Sequence, residues 1–139
     1  MYGSTREITL NNPMGLKKSD SAWLGKIIPS PDPVFESFIT ALDGMRAGAK
    51  NISGYLRLHG CKTLAEFIAC YAPPSDDNPT ASYLGFLCSR CGVEPDEPVN
   101  LADPEFLGKL VPAIITFENG DNPYPQALIA QAITEALVA

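Results

Sequence analysis

A chain of 139 residues with 45 % hydrophobic and 19 % charged residues has the size and composition of one folded domain, which excludes disorder, a coiled coil and a multidomain machine. The formal charge is −6 and the ten Lys and Arg are scattered, so no nucleic-acid partner is expected. No apolar run approaches the roughly 18 residues of a membrane span, and the first residues lack the apolar segment of a secretory signal. The expectation is a protein made in the cytoplasm without a signal peptide and without membrane insertion.

Thirteen prolines divide the chain into short elements. Residues 1–33 carry no helical period. Asn11-Asn12-Pro13-Met14-Gly15 is a turn cluster, and the short apolar pieces around Trp23 to Ile28 predict a small β-hairpin. From there to residue 139 the chain reads as a helical body. Phe38, Leu42, Met45, Ala49, Ile52 and Leu56 recur at steps of three and four, predicting a helix over about 40–58 that ends at Gly60. Thr63 and Glu66 form a capping-box pattern ahead of Leu64, Phe67, Ile68 and Tyr71, and Pro73-Pro74 stops that helix. A loop at 75–78 precedes a helix marked by Tyr83, Leu84, Leu87 and Cys88 and closed by Gly92. Asp103-Pro104 is an N-cap followed by proline at the first helical position; that helix contains Pro112 and ends at Phe117-Glu118-Asn119-Gly120. A last helix spans about 125–137. The fold class is mainly α with a small N-terminal β-hairpin, in a single domain over 1–139.

Cys61, Cys70, Cys88 and Cys91 read as buried reduced thiols. Cys88-Ser89-Arg90-Cys91 closes a helix and does not open one after a strand, unlike a redox motif, and with His59 it matches no common zinc spacing. No metal or cofactor is expected. Arg46 lies on the apolar stripe of the long helix, where an ion pair with Asp43 or Glu36 suits it. His59, beside Gly60, reads as a helix-end cation.

Glu118 breaks a local rule. A carboxylate in the last helical turn faces the negative end of the helix dipole, and the apolar approach through Ala113, Ile114, Ile115 and Phe117 adds desolvation. Both disfavour the charged form and raise the pKa. A carboxylic acid that stays protonated near neutral pH is what glycosidic cleavage requires as a general acid.

The segment Ala113 to Tyr124, with Glu118-Asn119-Gly120 closing an apolar helix, resembles the catalytic-glutamate helix of goose-type lysozymes and lytic transglycosylases. Asn11-Asn12-Pro13-Met14-Gly15-Leu16-Lys17 resembles the Asn-Asn-x-x-Gly-Ile-Lys segment of bacterial glucosaminidases, which follows their catalytic glutamate. There the segment leads into a hairpin, an aromatic pair and a helix; here Trp23-Leu24-Gly25, Phe35-Glu36-Ser37-Phe38 and Ala47 to Tyr55 keep that order. Because the glutamate helix comes last, the resemblance implies a circularly permuted lysozyme-like domain, as surface termini lying close together permit. The chain is also similar to small virion and structural proteins of tailed bacteriophages, through the Asn-Asn turn, Gly44-Met45-Arg46-Ala47, Ala72-Pro73-Pro74, Asn78-Pro79-Thr80-Ala81-Ser82-Tyr83 and Glu118-Asn119-Gly120.

The resemblances imply a phage-derived, peptidoglycan-cleaving glycosidase of muramidase, lytic transglycosylase or glucosaminidase type, with Glu118 as catalytic acid. Its partners would be peptidoglycan glycan strands and other phage virion proteins, and its place the virion or, after delivery, the periplasm. The alternative is a non-catalytic virion structural or adaptor protein on the same fold. Asn11, Asn12, Asn78, Asn119, Tyr83 and Tyr124 would bind the glycan, amides taking hydroxyls and N-acetyl groups and aromatic faces stacking on pyranose rings. The plainer reading makes Asn78 a helix cap and Tyr83 a core residue. Trp23, the only tryptophan, is either a glycan platform or a core plug. For a second carboxylate the candidates are Asp20 and Asp32, although one-carboxylate catalysis fits the resemblance better.

Overall fold

A computed structural model describes residues 5–76 and 78–138. Residues 1–4 of the N-terminal segment 1–33, Asp77 of the loop at 75–78, and Ala139 lie outside the described residues. Six α-helices are described: α1 (Arg6–Thr9), α2 (Ala41–His59), α3 (Leu64–Tyr71), α4 (Thr80–Cys91), α5 (Pro104–Asn119) and α6 (Gln126–Val138), with a 3₁₀ turn at Pro74–Asp76.

The helix starts follow from side-chain caps. Thr40 Oγ1 accepts from the Asp43 amide at 3.1 Å, Thr63 Oγ1 from Glu66 at 3.1 Å and Asp103 Oδ2 from Phe106 at 3.2 Å. Each satisfies one of the amide donors that a helix leaves open at its first turn. Helix α2 ends at Gly60 and α4 at Gly92, as the sequence predicts, and Gly120 closes α5. The apolar stripe of α2 is buried through Met45, Ala49 and Ile52 and packs chiefly against α6, while α4 packs against α5. Phe67, Leu87, Leu107, Leu110 and Ile114 are buried between these helices, each contributing roughly 1.5–3 kcal/mol of apolar transfer. Arg46 does pair with Asp43, as expected, but its other nitrogen takes Glu135 at 2.6 Å and so ties α2 to α6. The second candidate partner, Glu36, pairs instead with Lys26 at 3.0 Å.

The N-terminal region departs from the expected hairpin. Residues 16–38 form no strand, and their backbone pairing is limited to two isolated antiparallel bridges, Lys17 with Phe35 and Lys26 with Phe38. Pro29, Pro31 and Pro33 lack the amide donors a continuous ladder requires, and Asp32 turns the chain by accepting from Val34 and Phe35. The region is held by polar clasps in place of a ladder. Helix α1 is a second departure: Thr5 Oγ1 accepts from Ile8 and starts one helical turn too short to show a period. The Asn11–Met14 turn that follows lies directly on α2, because a Cβ at Gly44 would overlap the Asn11 carbonyl and one at Gly48 the Met14 side chain.

The cysteines divide. Cys61, Cys88 and Cys91 are buried, whereas Cys70 is exposed, and all are free thiols. Burial pushes the thiols of Cys61 and Cys91 up to about 11, so both stay protonated and unreactive at neutral pH. His59 is exposed at the last residue of α2, its ring 5.3 Å from that of Tyr55. No described helix is long and apolar enough to cross a membrane.

Candidate functional site: a carboxyl pair in an open cleft

Glu118 sits in the last turn of α5, before Gly120, and is half-buried. Tyr83 from α4 donates to its Oε2 at 2.8 Å. The Tyr83 ring is 1 % exposed and stacks on Phe117, centroids 4.0 Å apart, so the hydroxyl has little freedom. The carboxyl of Glu118 is also hydrogen-bonded to that of Glu7 on α1. The buried Oε2 of Glu7 meets no amide or hydroxyl donor among the described residues.

Two carboxyls in contact cannot both be ionised cheaply, so the pair holds one proton between them. Burial raises Glu7, to about 8, and the charge and hydrogen bond of Glu118 push it the same way. Burial also raises Glu118, while the Tyr83 and Glu7 hydrogen bonds pull it down. The proton therefore rests on Glu7, and Glu118 is the carboxylate that both neighbours stabilise. Gly15, at φ +66°, passes close by: a Cβ there would lie 3.0 Å from Glu7 Oε1 and 3.6 Å from Glu118 Oε1. A side chain at this position would crowd the pair.

The pair opens onto a cleft of about 510 Å³ that Trp23, Asn51, Tyr55 and Asn78 also border. The structure brings Glu118, Trp23 and Asn78 to this one space. Asn78 does not cap α4; its Nδ2 donates to Pro73 O at 3.1 Å, and the α4 cap position is Pro79. Trp23 packs partly on Leu16, Phe38 and Ala47 and borders the cleft with the rest of its surface.

The other expected glycan contacts stand elsewhere. Asn12 is 0 % exposed, and its amide group is consumed by Leu16 and by Glu36 O; it clasps the N-terminal loop. Asn11, at φ 56°, donates to Phe38 O and Ile39 O. Asn119 donates to Pro13 O and Ile115 O and accepts from Thr5 Oγ1, joining the end of α5 to the Asn-Asn turn. Tyr124 is 6 % exposed within the core, and Tyr83 reaches the cleft only through Glu118. Neither Asp20 nor Asp32 approaches the pair as a second carboxylate: Asp20 is exposed, and Asp32 is held by Arg6 at 2.7 Å, which keeps it well below the usual carboxylate range.

Glu7 is the residue that sequence reasoning missed. A four-residue helix shows no periodicity, so only position could have pointed to it. It stands four residues ahead of Asn11-Asn12, and the glucosaminidase segment that this turn resembles also follows a glutamate.

A helical domain that presents a shared-proton carboxyl pair in a cleft, bounded by one tryptophan, defines the chain by fold and site. No family model matches the sequence. It is 32 % identical over 124 residues to Protein P5 of Pseudoalteromonas phage PM2, across 87 % of this chain and 75 % of that protein, and it belongs to that phage protein's family.

Proposed function

We propose that the chain cleaves the glycan strands of peptidoglycan on a lysozyme-like domain, with the Glu7–Glu118 pair as its general acid. The observation that carries this is the meeting of two half-buried carboxyls, Glu7 and Glu118, in an accessible cleft, with Trp23 and Asn78 as an aromatic and an amide surface for a sugar. Burial and mutual repulsion supply the raised pKa that proton donation to a glycosidic oxygen needs.

The spacing of the pair selects among mechanisms. Hydrolases with two independent carboxylates hold them about 5–5.5 Å or about 6.5–9.5 Å apart, to admit a sugar carbon or a water. Carboxyls in hydrogen-bonding contact leave room for neither. The pair therefore acts as one acid–base unit, and a group of the sugar supplies the attack. Its proton passes to the bridging oxygen as the C1–O bond breaks; the sugar's own 6-hydroxyl oxygen then bonds to C1 and returns its proton to the pair. The product is an anhydro sugar, and no water is consumed.

The test is release of soluble fragments from purified peptidoglycan by the wild-type chain, Glu118→Gln and Glu7→Gln, read by mass spectrometry. The expected outcome is anhydro-ended fragments from the wild type and a loss of 100-fold or more, on the order of one general acid's contribution, in each variant. Absence of fragments from folded wild-type protein would refute the enzyme reading. A second reading, a virion structural protein, is favoured by the way Tyr83, Glu118, Glu7, Asn119 and Thr5 link α1, α4, α5 and the Asn-Asn turn. In that case both variants lower stability and no protein releases fragments.

A further inference from the structure

Beyond Trp23 lies a second cavity, of about 370 Å³, walled by Trp23, Leu24 and Ala47 and carrying Arg46 and Lys50. Trp23 and Ser21 border both cavities, so the indole is a ridge between the carboxyl pair and a basic, apolar-walled space. The two basic residues differ. Arg46 is already held by Asp43 and Glu135. Lys50, one helical turn further along α2 and half-buried, has no ion pair and no side-chain hydrogen bond among the described residues.

We propose that this cavity binds the carboxylate-bearing peptide stem of a peptidoglycan strand, with Lys50 as the charge partner and Trp23 separating stem from scissile sugar. The inference rests on the glycan reading above and adds the substrate class: strands that keep their peptides, in preference to bare N-acetylated glycans. Electrostatics gives the direction. The carboxyl pair carries one negative charge at neutral pH and repels a stem carboxylate from its own cleft, whereas an unpaired ammonium across the ridge attracts it. The apolar wall suits the alkyl portions of a short peptide.

Trp23 is the only tryptophan, so its fluorescence reports binding at the ridge directly. The full chain carrying Glu118→Gln, which is not turned over, is titrated with a disaccharide–tetrapeptide from peptidoglycan and with an uncharged chitin tetrasaccharide, with and without Lys50→Gln. The expected result is tighter binding of the peptide-bearing ligand, weakened roughly five- to tenfold by Lys50→Gln and by raised salt, as for one partly buried charge pair. Chitin binding is unchanged by the substitution. If both ligands bind and Lys50→Gln alters neither, the stem site is overturned and the glycan reading stands. If neither ligand binds folded protein, both readings fall together.

Discussion

Tyr83 decides which carboxyl keeps the proton. Its hydroxyl donates to Glu118 and so favours the ionised form there, leaving Glu7 neutral. Tyr83→Phe removes the donor and keeps the stacking on Phe117. The expected cost is about 1–2 kcal/mol in urea denaturation, since a half-buried carboxylate loses a hydrogen bond. The pKa of Glu118 should also rise, visible as an upward shift of its side-chain carbonyl ¹³C titration and, for an active enzyme, of the acidic limb of the pH–rate profile. A purely structural tyrosine would change stability without moving that limb.

Helix α2 shows how an element is shaped by what must lie on it. Gly44 and Gly48 stand one turn apart on the face that receives the Asn11–Met14 turn, and the Asn11 carbonyl occupies the place of a Gly44 Cβ. Gly44→Ala should therefore destabilise the protein by about 3 kcal/mol or more, the upper range of overpacking, because the obstruction is backbone. Gly85→Ala, at an exposed position of α4 where nothing lies within 4 Å of the added carbon, should instead stabilise by roughly 0.5–1 kcal/mol through helix propensity. Chemical denaturation of the two variants beside wild type checks both signs. Because the Gly44 contact seats the chain that continues into Gly15 beside the carboxyl pair, Gly44→Ala should also lower any activity; Gly85→Ala should leave it unchanged.

Across the whole molecule, the carboxyl pair imposes a pH dependence on folding. A carboxyl whose folded pKa is raised binds its proton more tightly folded than unfolded. Glu7 therefore contributes stability that is fully present below its ordinary 4.5 and is lost as pH rises through about 8. The raised Glu118 acts in the same direction. Thermal melting at pH 5 and pH 8 should show the wild-type midpoint falling by about 5 °C more than that of Glu7→Gln, an estimate discounted for partial exposure of the pair. Asp32, lowered by Arg6 from its ordinary 3.8, is ionised both folded and unfolded across this range and adds no slope.

The helical body was legible because its signals are local. Caps at Thr40, Thr63 and Asp103, terminal glycines and apolar positions at steps of three and four act within one or two turns, and no distant contact overrode them. Glu118 was legible for a related reason, its conflict with the helix dipole being a local violation. By itself the sequence determined the helical order of residues 40–138, the odd placement of that glutamate and the likeness to a phage protein. Tertiary structure alone decided the rest. Sequence carries no distance between positions 7 and 118, nor between 12 and 36, so the carboxyl pair and the Asn12 clasp on the Glu36 carbonyl arise only when α1 and the N-terminal loop fold onto α2 and the end of α5. Their hydrogen bonds replace the hairpin that the prolines forbid. The raised pKa values follow from the same step, because desolvation and the meeting of two carboxyls exist only in the packed molecule.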